Sequence, residues 1–310
     1  MRKTINTCHI EGLLYEHKLE VRESGPNSKN PGTKFIMGTV DIATDDLCTN
    51  IVSVHFTYVT ATTAKGATNA TFTTLMNIID GKYGSVMANG KDSAVKLRID
   101  SALGLNEFYT ERNGQEELVS AKRNEGGFVH VADSLNPDES VRNTFKCDML
   151  ITGVKELEAD EERDIPAKAI VRGAIFDFRG ALMPVEFSAV NPNAIQYFLS
   201  LEASNANPTF TCVWGRQVSE TTVRKITTES AFGEDEVREV KSTRKDFVIT
   251  GASKETYLWD DETTLTANEV AEKVAARETY LATIKQRQDE YKASKNAAPA
   301  MAVTKSGFNF

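Results

Sequence analysis

The same order of apolar strands, glycines and one short helix occurs twice in this chain, and this repeat constrains its fold most. Ile10-Glu11-Gly12 opens the first copy and Ile151-Thr152-Gly153 opens the second, so the first glycines are 141 residues apart. The separation of matching residues then falls along the chain: 135 for Gly38 and Gly173, 131 for Phe56 and Phe187, and 119 for Phe128 and Phe247. Loops that shorten between retained elements produce such a fall, which indicates two related β-domains in tandem.

Glycine marks a point where a predicted strand bends. Residues 52–58 alternate apolar and polar side chains, which is typical of a strand with one buried face. Apolar parity shifts by one across Gly38, from Met37 to Val40, so we expect a β-bulge there. Such a bulge lets one strand serve two edges of a small barrel, and Gly173 is the expected counterpart in the second copy.

Each copy has one predicted helix between its third and fourth strands. Phe72, Leu75 and Ile79 recur at the spacing of one helical face, and a second stripe begins at Ile195 and continues to Phe198. Three strands, a helix and two strands is the order of the OB-fold, a five-stranded Greek-key barrel. The expected fold class is therefore mainly β, with two tandem OB-fold barrels, a long C-terminal helix and a flexible tail.

On this strand order and glycine placement, residues 5–255 resemble tandem OB-fold single-stranded DNA-binding proteins of bacteria and their phages. The resemblance implies sequence-nonspecific binding and protection of single-stranded DNA during phage DNA replication or recombination. It also implies a homodimer that displays four barrels, in the cytoplasm of the bacterial host if the protein is phage-encoded.

The expected domain organisation follows from the repeat and from shifts in composition. It comprises a first OB-fold domain (1–132), a linker (133–146), a second OB-fold domain (147–255), a helical extension (256–293) and a flexible tail (294–310).

The extension begins with a capping box, Thr266-Ala267-Asn268-Glu269, and is expected to be one long charged helix. Its predicted apolar seam is interrupted by Arg277 and Gln288, and consists of Val270, Val274, Leu281, Ile284 and Tyr291. Such a seam either docks on a barrel or pairs with a second subunit.

The last residues resemble the end of bacterial single-stranded DNA-binding proteins, which close an apolar tip on phenylalanine to recruit replication or recombination proteins. Here Phe308 and Phe310 are the candidate partner-binding residues. The tail departs from that pattern because it carries Lys295 and Lys305 and no carboxylate side chain.

Composition excludes several classes of protein. No apolar run approaches the ~20 residues that a membrane span needs, and no apolar segment follows the basic N-terminus, so neither a membrane protein nor a signal peptide is expected. The four cysteines and four histidines lack metal-ligand spacing, and no catalytic or dinucleotide motif occurs, so we expect no metal, no cofactor and no enzyme. The net charge of −8 leaves nucleic-acid binding open, because a local basic groove decides it.

Single-stranded nucleic acid requires cations along a groove and flat side chains on which bases stack. The candidates are Lys34, His55, Lys96, Arg98, Phe108, Tyr109, Lys122 and Arg123 in the first copy, and Arg172, Trp214, Arg216, Lys241, Arg244 and Lys245 in the second.

Three of the aromatic candidates have alternative interpretations. Phe108 and Tyr109 lie in the predicted loop between strands four and five, where packing that anchors the loop competes with stacking. Trp214 is either a core residue or a stacking residue, as are Phe176 and Phe178.

Two other functions are compatible with tandem barrels. A phage structural or assembly protein would bind other proteins and ignore single-stranded DNA. An RNA-binding OB-fold protein would prefer single-stranded RNA through contacts to the 2′-hydroxyl.

Overall fold

A computed structural model describes residues 4–159, 166–228, 236–259 and 265–297. In the first half the strands are β1 (Asn6–Glu23), β2 (Lys34–Ala43), β3 (Ile51–Thr60), β4 (Lys96–Arg112) and β5 (Gln115–Val131). In the second half they are β6 (Asn143–Leu157), β7 (Lys168–Phe176), β8 (Leu182–Ala189), β9 (Thr209–Thr228) and β10 (Glu236–Ala252). The α-helices of the described residues are α1 (Ala70–Ile79), α2 (Val86–Asn89), α3 (Pro192–Ser200) and α4 (Ala267–Ala297).

Each half closes into a five-stranded barrel. In the first barrel β1 pairs with β2 and β4, β2 with β3 and β4 with β5, and a parallel contact of Val54 with Asn124 joins β3 to β5. The second barrel repeats these pairings with β6 to β10, and Ser188 opposite Val248 closes it in parallel. This closure defines the OB-fold, so the predicted fold class is confirmed. The second barrel begins earlier in the chain than predicted, because residues 143–146, which were predicted to belong to the linker, are part of β6.

The register that relates the two barrels differs from the one that the sequence suggested. Burial along β1 matches burial along β6 when Cys8 is set against Phe145, a separation of 137 residues. The same separation relates the bulge between Leu14 and Glu16 in β1 to the bulge between Ile151 and Gly153 in β6. Gly12 and Gly153 are therefore not equivalent positions, although both lie on first strands.

The other strands are displaced in the same way. Strand pairing makes Val40 equivalent to Val171 and Val54 equivalent to Phe187. The predicted bulge at Gly38 is confirmed, since the β2–β3 register shifts there and φ of Gly38 is 125°. The prediction of a matching bulge at Gly173 is wrong. The β7–β8 ladder runs without a register shift, and the β-bulge lies in β6, between Ile151 and Gly153, opposite Gly173.

Helices α1 and α3 each close one end of a barrel. Asn69 and Asn191 cap their N-termini by accepting hydrogen bonds from backbone N–H groups two residues on. Leu75 and Ile78 of α1 are buried, as are Ile195 and Phe198 of α3, so the predicted helices are confirmed in both copies.

The barrels are joined edge to edge by β1 and β6. Their antiparallel ladder runs from Asn6 opposite Cys147 to Ile10 opposite Asn143, with the equivalent residues Cys8 and Phe145 at its centre. This ladder joins the strands of both barrels into one ten-stranded sheet, in which β5-β4-β1-β6-β9-β10 are successive neighbours. Cys8 and Leu103 of the first barrel pack in the same apolar cluster as the core of the second, so the two cores are continuous.

A reciprocal pair of amides forms a second link between the barrels. The side chains of Asn124 in β5 and Gln217 in β9 exchange two hydrogen bonds of 2.8 Å and are buried. The backbone carbonyl of Gln217 also accepts from the side chains of Asn50 and Asn143. By strand pairing, Asn124 is equivalent to Phe247 and Gln217 is equivalent to Leu103. Phe247 and Leu103 lie in one apolar cluster, so an apolar contact takes the place of the amide pair there.

Strands β4 and β5 extend well beyond the first barrel as a hairpin. Asn113 and Gly114 form its turn with φ of 53° and 75°, the left-handed values that a two-residue hairpin turn needs. The predicted loop between strands four and five is therefore strand, and Phe108 and Tyr109 lie on β4.

Helix α4 docks on this hairpin and on the second barrel. Its capping box is confirmed, because the side chains of Thr266 and Glu269 exchange hydrogen bonds with each other's backbone N–H groups. The predicted seam is wrong in two places: Val274 and Tyr291 are exposed, while Arg277 and Gln288, taken as interruptions, contact the hairpin. The helix thus docks through these polar contacts and through Val270, which packs against an apolar cluster of the second barrel, and it ends at Ala297, inside the predicted tail.

Replacing Asn124 by alanine tests the amide link. The N124A variant leaves the buried amide of Gln217 without its partner, so we expect the free energy of unfolding to fall by about 1–3 kcal/mol. Urea unfolding measures this, with Asn205→Ala, at an exposed loop position, as the matched control. A loss no larger than that of the control would contradict a stabilising role for the pair.

Candidate nucleic-acid interface

A cleft runs between the two barrels. Its two chambers have volumes of about 1360 Å³ and 790 Å³ and share Ala102, Glu125, Gly127, Phe128 and Phe178. We call these two chambers together the inter-barrel cleft. The first barrel, the turn between β7 and β8, and helix α4 all contribute to its walls.

Two exposed phenylalanines stand where the chambers meet. Phe128 of β5 is 68% exposed and Phe178, in the turn after β7, is 82% exposed. Local backbone geometry holds both in place. Gly126 and Gly127 adopt positive φ at a β-bulge directly before Phe128. The Asp177 carboxylate accepts from the backbone N–H groups of Arg179 and Ala181, which fixes the turn that carries Phe178.

Charged side chains line the larger chamber in equal numbers of each sign. The cations are Arg123, Arg179, Lys273 and Arg277, and the acids are Glu107, Glu125, Asp177 and Glu272. Arg179 lies over the ring of Phe178, 5.0 Å from its centroid. Arg123 is held by Glu125 at 2.6 Å. The chamber is therefore close to neutral, and aromatic surface is its main binding feature.

Of the sequence-predicted contacts in the first barrel, Arg123 is the one that lines this cleft. Lys34 and Arg98 are exposed elsewhere, and the Lys96 ammonium donates to the backbone carbonyl of Asp133 at 3.0 Å. His55 is half-buried on β3; burial, together with the positive charge of Arg123, lowers the pKa of His55, so its ring is neutral at pH 7.

The aromatic pair of β4 divides between two environments. Phe108 is 41% exposed. Tyr109 is half-buried, its backbone N–H donates to Gln288 of α4 at 2.9 Å, and Lys285 lies 5.7 Å from its ring. The anchoring interpretation thus describes Tyr109 better than it describes Phe108.

Lys122 and Lys245 are equivalent residues that reach across to the opposite barrel. Lys122 in β5 donates to the carbonyl of Glu186 in β8, and its ammonium lies 5.3 Å from the ring of Phe247. Lys245 in β10 donates to the hydroxyl of Ser53 in β3 at 3.3 Å. Both lysines therefore take part in holding the barrels together.

The second barrel presents its candidates on the outer face. Trp214 is not a core residue: its side chain is 40% exposed and its ring lies against Gly251, where an added Cβ would come 2.4 Å from the indole nitrogen. Arg216 is exposed two residues further on, and Arg172 pairs with Glu186 at 2.7 Å. The side chains of Lys241 and Arg244, and residues Phe308 and Phe310, lie outside the described residues.

Sequence reasoning missed the most exposed aromatic residue of the first barrel, Phe128. The signal that identifies it is the Gly126-Gly127 pair before it, because two glycines inside a strand indicate a bulge that turns the next side chain outward. Of the two phenylalanines after β7's start that were predicted to be either core or stacking residues, Phe176 is buried core and Phe178 is exposed.

Within the described ranges, no group of three or more His, Cys, Asp or Glu side chains is arranged to hold a metal ion. No helix in that part of the chain is long and apolar enough to cross a bilayer.

Fold and site together define a protein with two fused OB-fold barrels and an aromatic cleft between them. The chain belongs to the YorF family, whose model matches residues 4–287. No curated protein matches it.

Two solved structures are similar to this chain, and both are of the single-stranded DNA binding protein from Thermus aquaticus. A deletion mutant has a TM-score of 0.45 and 9% identity, with 84% of this chain and 100% of that chain covered. The wild-type protein has a TM-score of 0.44 and 11% identity, with 83% and 95% covered.

Replacing Lys122 or its equivalent Lys245 by methionine tests how burial of the lysine ammonium group affects the stability of the protein. Burial lowers the pKa of Lys122, so the folded protein disfavours its ammonium form. This cost is present below the lowered pKa and disappears as the pH rises towards 10.5, where the unfolded lysine also loses its proton. Lys122→Met is therefore expected to be at least as stable as the wild type at about pH 8, with an advantage that shrinks at higher pH.

Urea unfolding at several pH values measures this advantage, and Lys245→Met, at the exposed equivalent position, is the control. A loss of stability above about 1 kcal/mol in Lys122→Met would mean that the hydrogen bond to Glu186 outweighs burial.

Proposed function

We propose that this protein binds single-stranded DNA without sequence preference and protects it, in a non-enzymatic role. The observation that carries the proposal is the set of large aromatic rings exposed on the barrels. They are Tyr58, Phe108, Phe128, Phe178 and Trp214, each at least 40% exposed.

Exposed aromatic rings next to cations match the chemistry of unpaired bases. A ring that contacts water loses most of the hydrophobic stabilisation that burial would give it. A stacked base restores that burial and contributes about 1–3 kcal/mol, whatever the base. Arg179 beside Phe178 and Arg216 two residues from Trp214 are placed to meet the phosphates that flank such bases.

The biological part of the proposal is protection of single-stranded DNA during phage DNA replication or recombination, in the bacterial cytoplasm. Two barrels per chain suggest a homodimer with four barrels, and the tip with Phe308 and Phe310 is the proposed contact for replication or recombination proteins. We retain as proposed DNA contacts the exposed Lys34, Arg98, Arg172, Arg216 and Lys245, the half-buried His55, Lys96, Tyr109, Lys122 and Arg123, and Lys241 and Arg244 on β10.

Fluorescence anisotropy of a labelled oligo-dT of about 35 nucleotides tests the proposal. We expect submicromolar binding that weakens with salt and that duplex DNA does not displace. RNA of the same length serves as a competitor, and preferential displacement by it would indicate an RNA-binding protein instead. Absence of binding at about 50 mM salt, where phosphate contacts are strongest, would contradict nucleic-acid binding and favour a protein-assembly role.

A further inference from the structure

We infer that the inter-barrel cleft is the place where a bound strand passes from one barrel to the other, with bases stacked on Phe128 and Phe178. This inference rests on the proposed function and gives it a specific site. One of the two rings comes from each barrel, so a strand that engages both is in contact with the whole two-barrel body.

The position of the two rings supports a shared site. Phe128 and Phe178 line both chambers, so they stand at the passage that connects them. Each chamber is as large as or larger than a small-molecule site of about 300–1,000 Å³. Together the two connected chambers have room for more than one nucleotide.

The rings are already fixed in their exposed orientation. A Cβ at Gly127 would lie 2.1 Å from the backbone oxygen of Asp100, so this bulge tolerates only glycine and sets the direction of the next residue, Phe128. The turn of Phe178 is fixed by the Asp177 carboxylate and by the ammonium of Lys273, which donates to the carbonyl of Gly180. Less ordering is then needed when a base binds, which favours affinity.

Helix α4 supplies a further wall and a third ring. Tyr280 lines the larger chamber and is 51% exposed. Arg277, one turn before it, forms an ion pair with Glu107 of β4, whose carboxylate is almost fully buried. This pair fixes the helix against the hairpin and so sets the width of the cleft.

The charge balance of the cleft indicates what it binds. In the larger chamber four cations are matched by four acids, and the smaller chamber adds one of each, Lys146 and Asp100, so the cleft offers little net attraction for phosphate. Glu125 in particular holds the guanidinium of Arg123 through two nitrogens at 2.6 Å. The cleft therefore binds bases chiefly through its rings, and Glu125 restrains a cation that would otherwise contact the backbone.

Alanine substitutions of the two rings test the inference. We expect Phe128→Ala and Phe178→Ala each to weaken oligo-dT binding about five- to hundredfold, since each removes one stacking surface. Leu47→Ala is the matched control, because Leu47 is an exposed apolar residue of the first half that lines neither chamber and is not a proposed DNA contact. Urea unfolding and light scattering of all three variants show whether fold and oligomeric state are kept.

The outcomes separate the site from the function. If the wild type binds oligo-dT but both cleft variants bind as well as Leu47→Ala, the cleft is not the crossing point and the proposed function stands. If the wild type does not bind, the function itself is wrong. If the cleft variants change the oligomeric mass, the two rings form a subunit interface and the inference is overturned.

Neutralising Glu125 gives a second test in the opposite direction. Glu125→Gln keeps the shape of the side chain but weakens its hold on Arg123, so we expect binding to become about two- to fivefold tighter at low salt. The plot of log affinity against log salt should steepen by about 0.7, the increment for one additional phosphate contact on a single strand. An unchanged slope and affinity would show that Arg123 does not face the strand.

Discussion

The antiparallel ladder between β1 and β6 is the contact on which the rest of this structure depends. In a closed OB barrel both edges of each strand are used, but β2 pairs with β1 only from Leu13 onward, so residues 6–10 of β1 have one edge left to pair with β6. That pairing aligns the barrels about an axis near Cys8 and Phe145 and makes their cores continuous. The cleft, the crossing lysines and the docking of α4 all follow from this alignment.

This arrangement explains why the long β4–β5 hairpin does not behave as a flexible loop. The β4–β5 hairpin is held by Lys122 against the second barrel and by α4 along its length, through Gln288 and through the ion pairs of Glu116 with Lys285 and Lys292. Residues with the composition of a DNA-binding loop are therefore divided between two tasks. Some, such as Phe108, are exposed, and others, such as Lys122, contact the opposite barrel.

The repeat, the strand order and the helices could be predicted because alternation and helical spacing are local properties. The register of the repeat could not, because a strand shifted by an even number of residues keeps every side chain on the same face. All four predicted pairings slipped in this way; for example, Gly38 matches Ala169 rather than Gly173, and Phe247 matches Asn124 rather than Phe128. The cleft was unpredictable for a different reason: Phe128 and Phe178 are far apart in sequence, and only the β1–β6 ladder brings their surroundings together.

The amide pair of Asn124 and Gln217 affects which barrels pair with each other in chains of this kind. Two related barrels in one chain allow a competing assembly, in which the first barrel of one molecule pairs with the first barrel of another. In that arrangement Asn124 would face the leucine at position 103, and two second barrels would set Gln217 against Phe247. Either mismatch leaves a buried side-chain amide among apolar groups without a hydrogen-bond partner, which costs free energy. The contact of Asn124 with Gln217 thus favours pairing of a first barrel with a second barrel, and it opposes pairing of like barrels from neighbouring molecules.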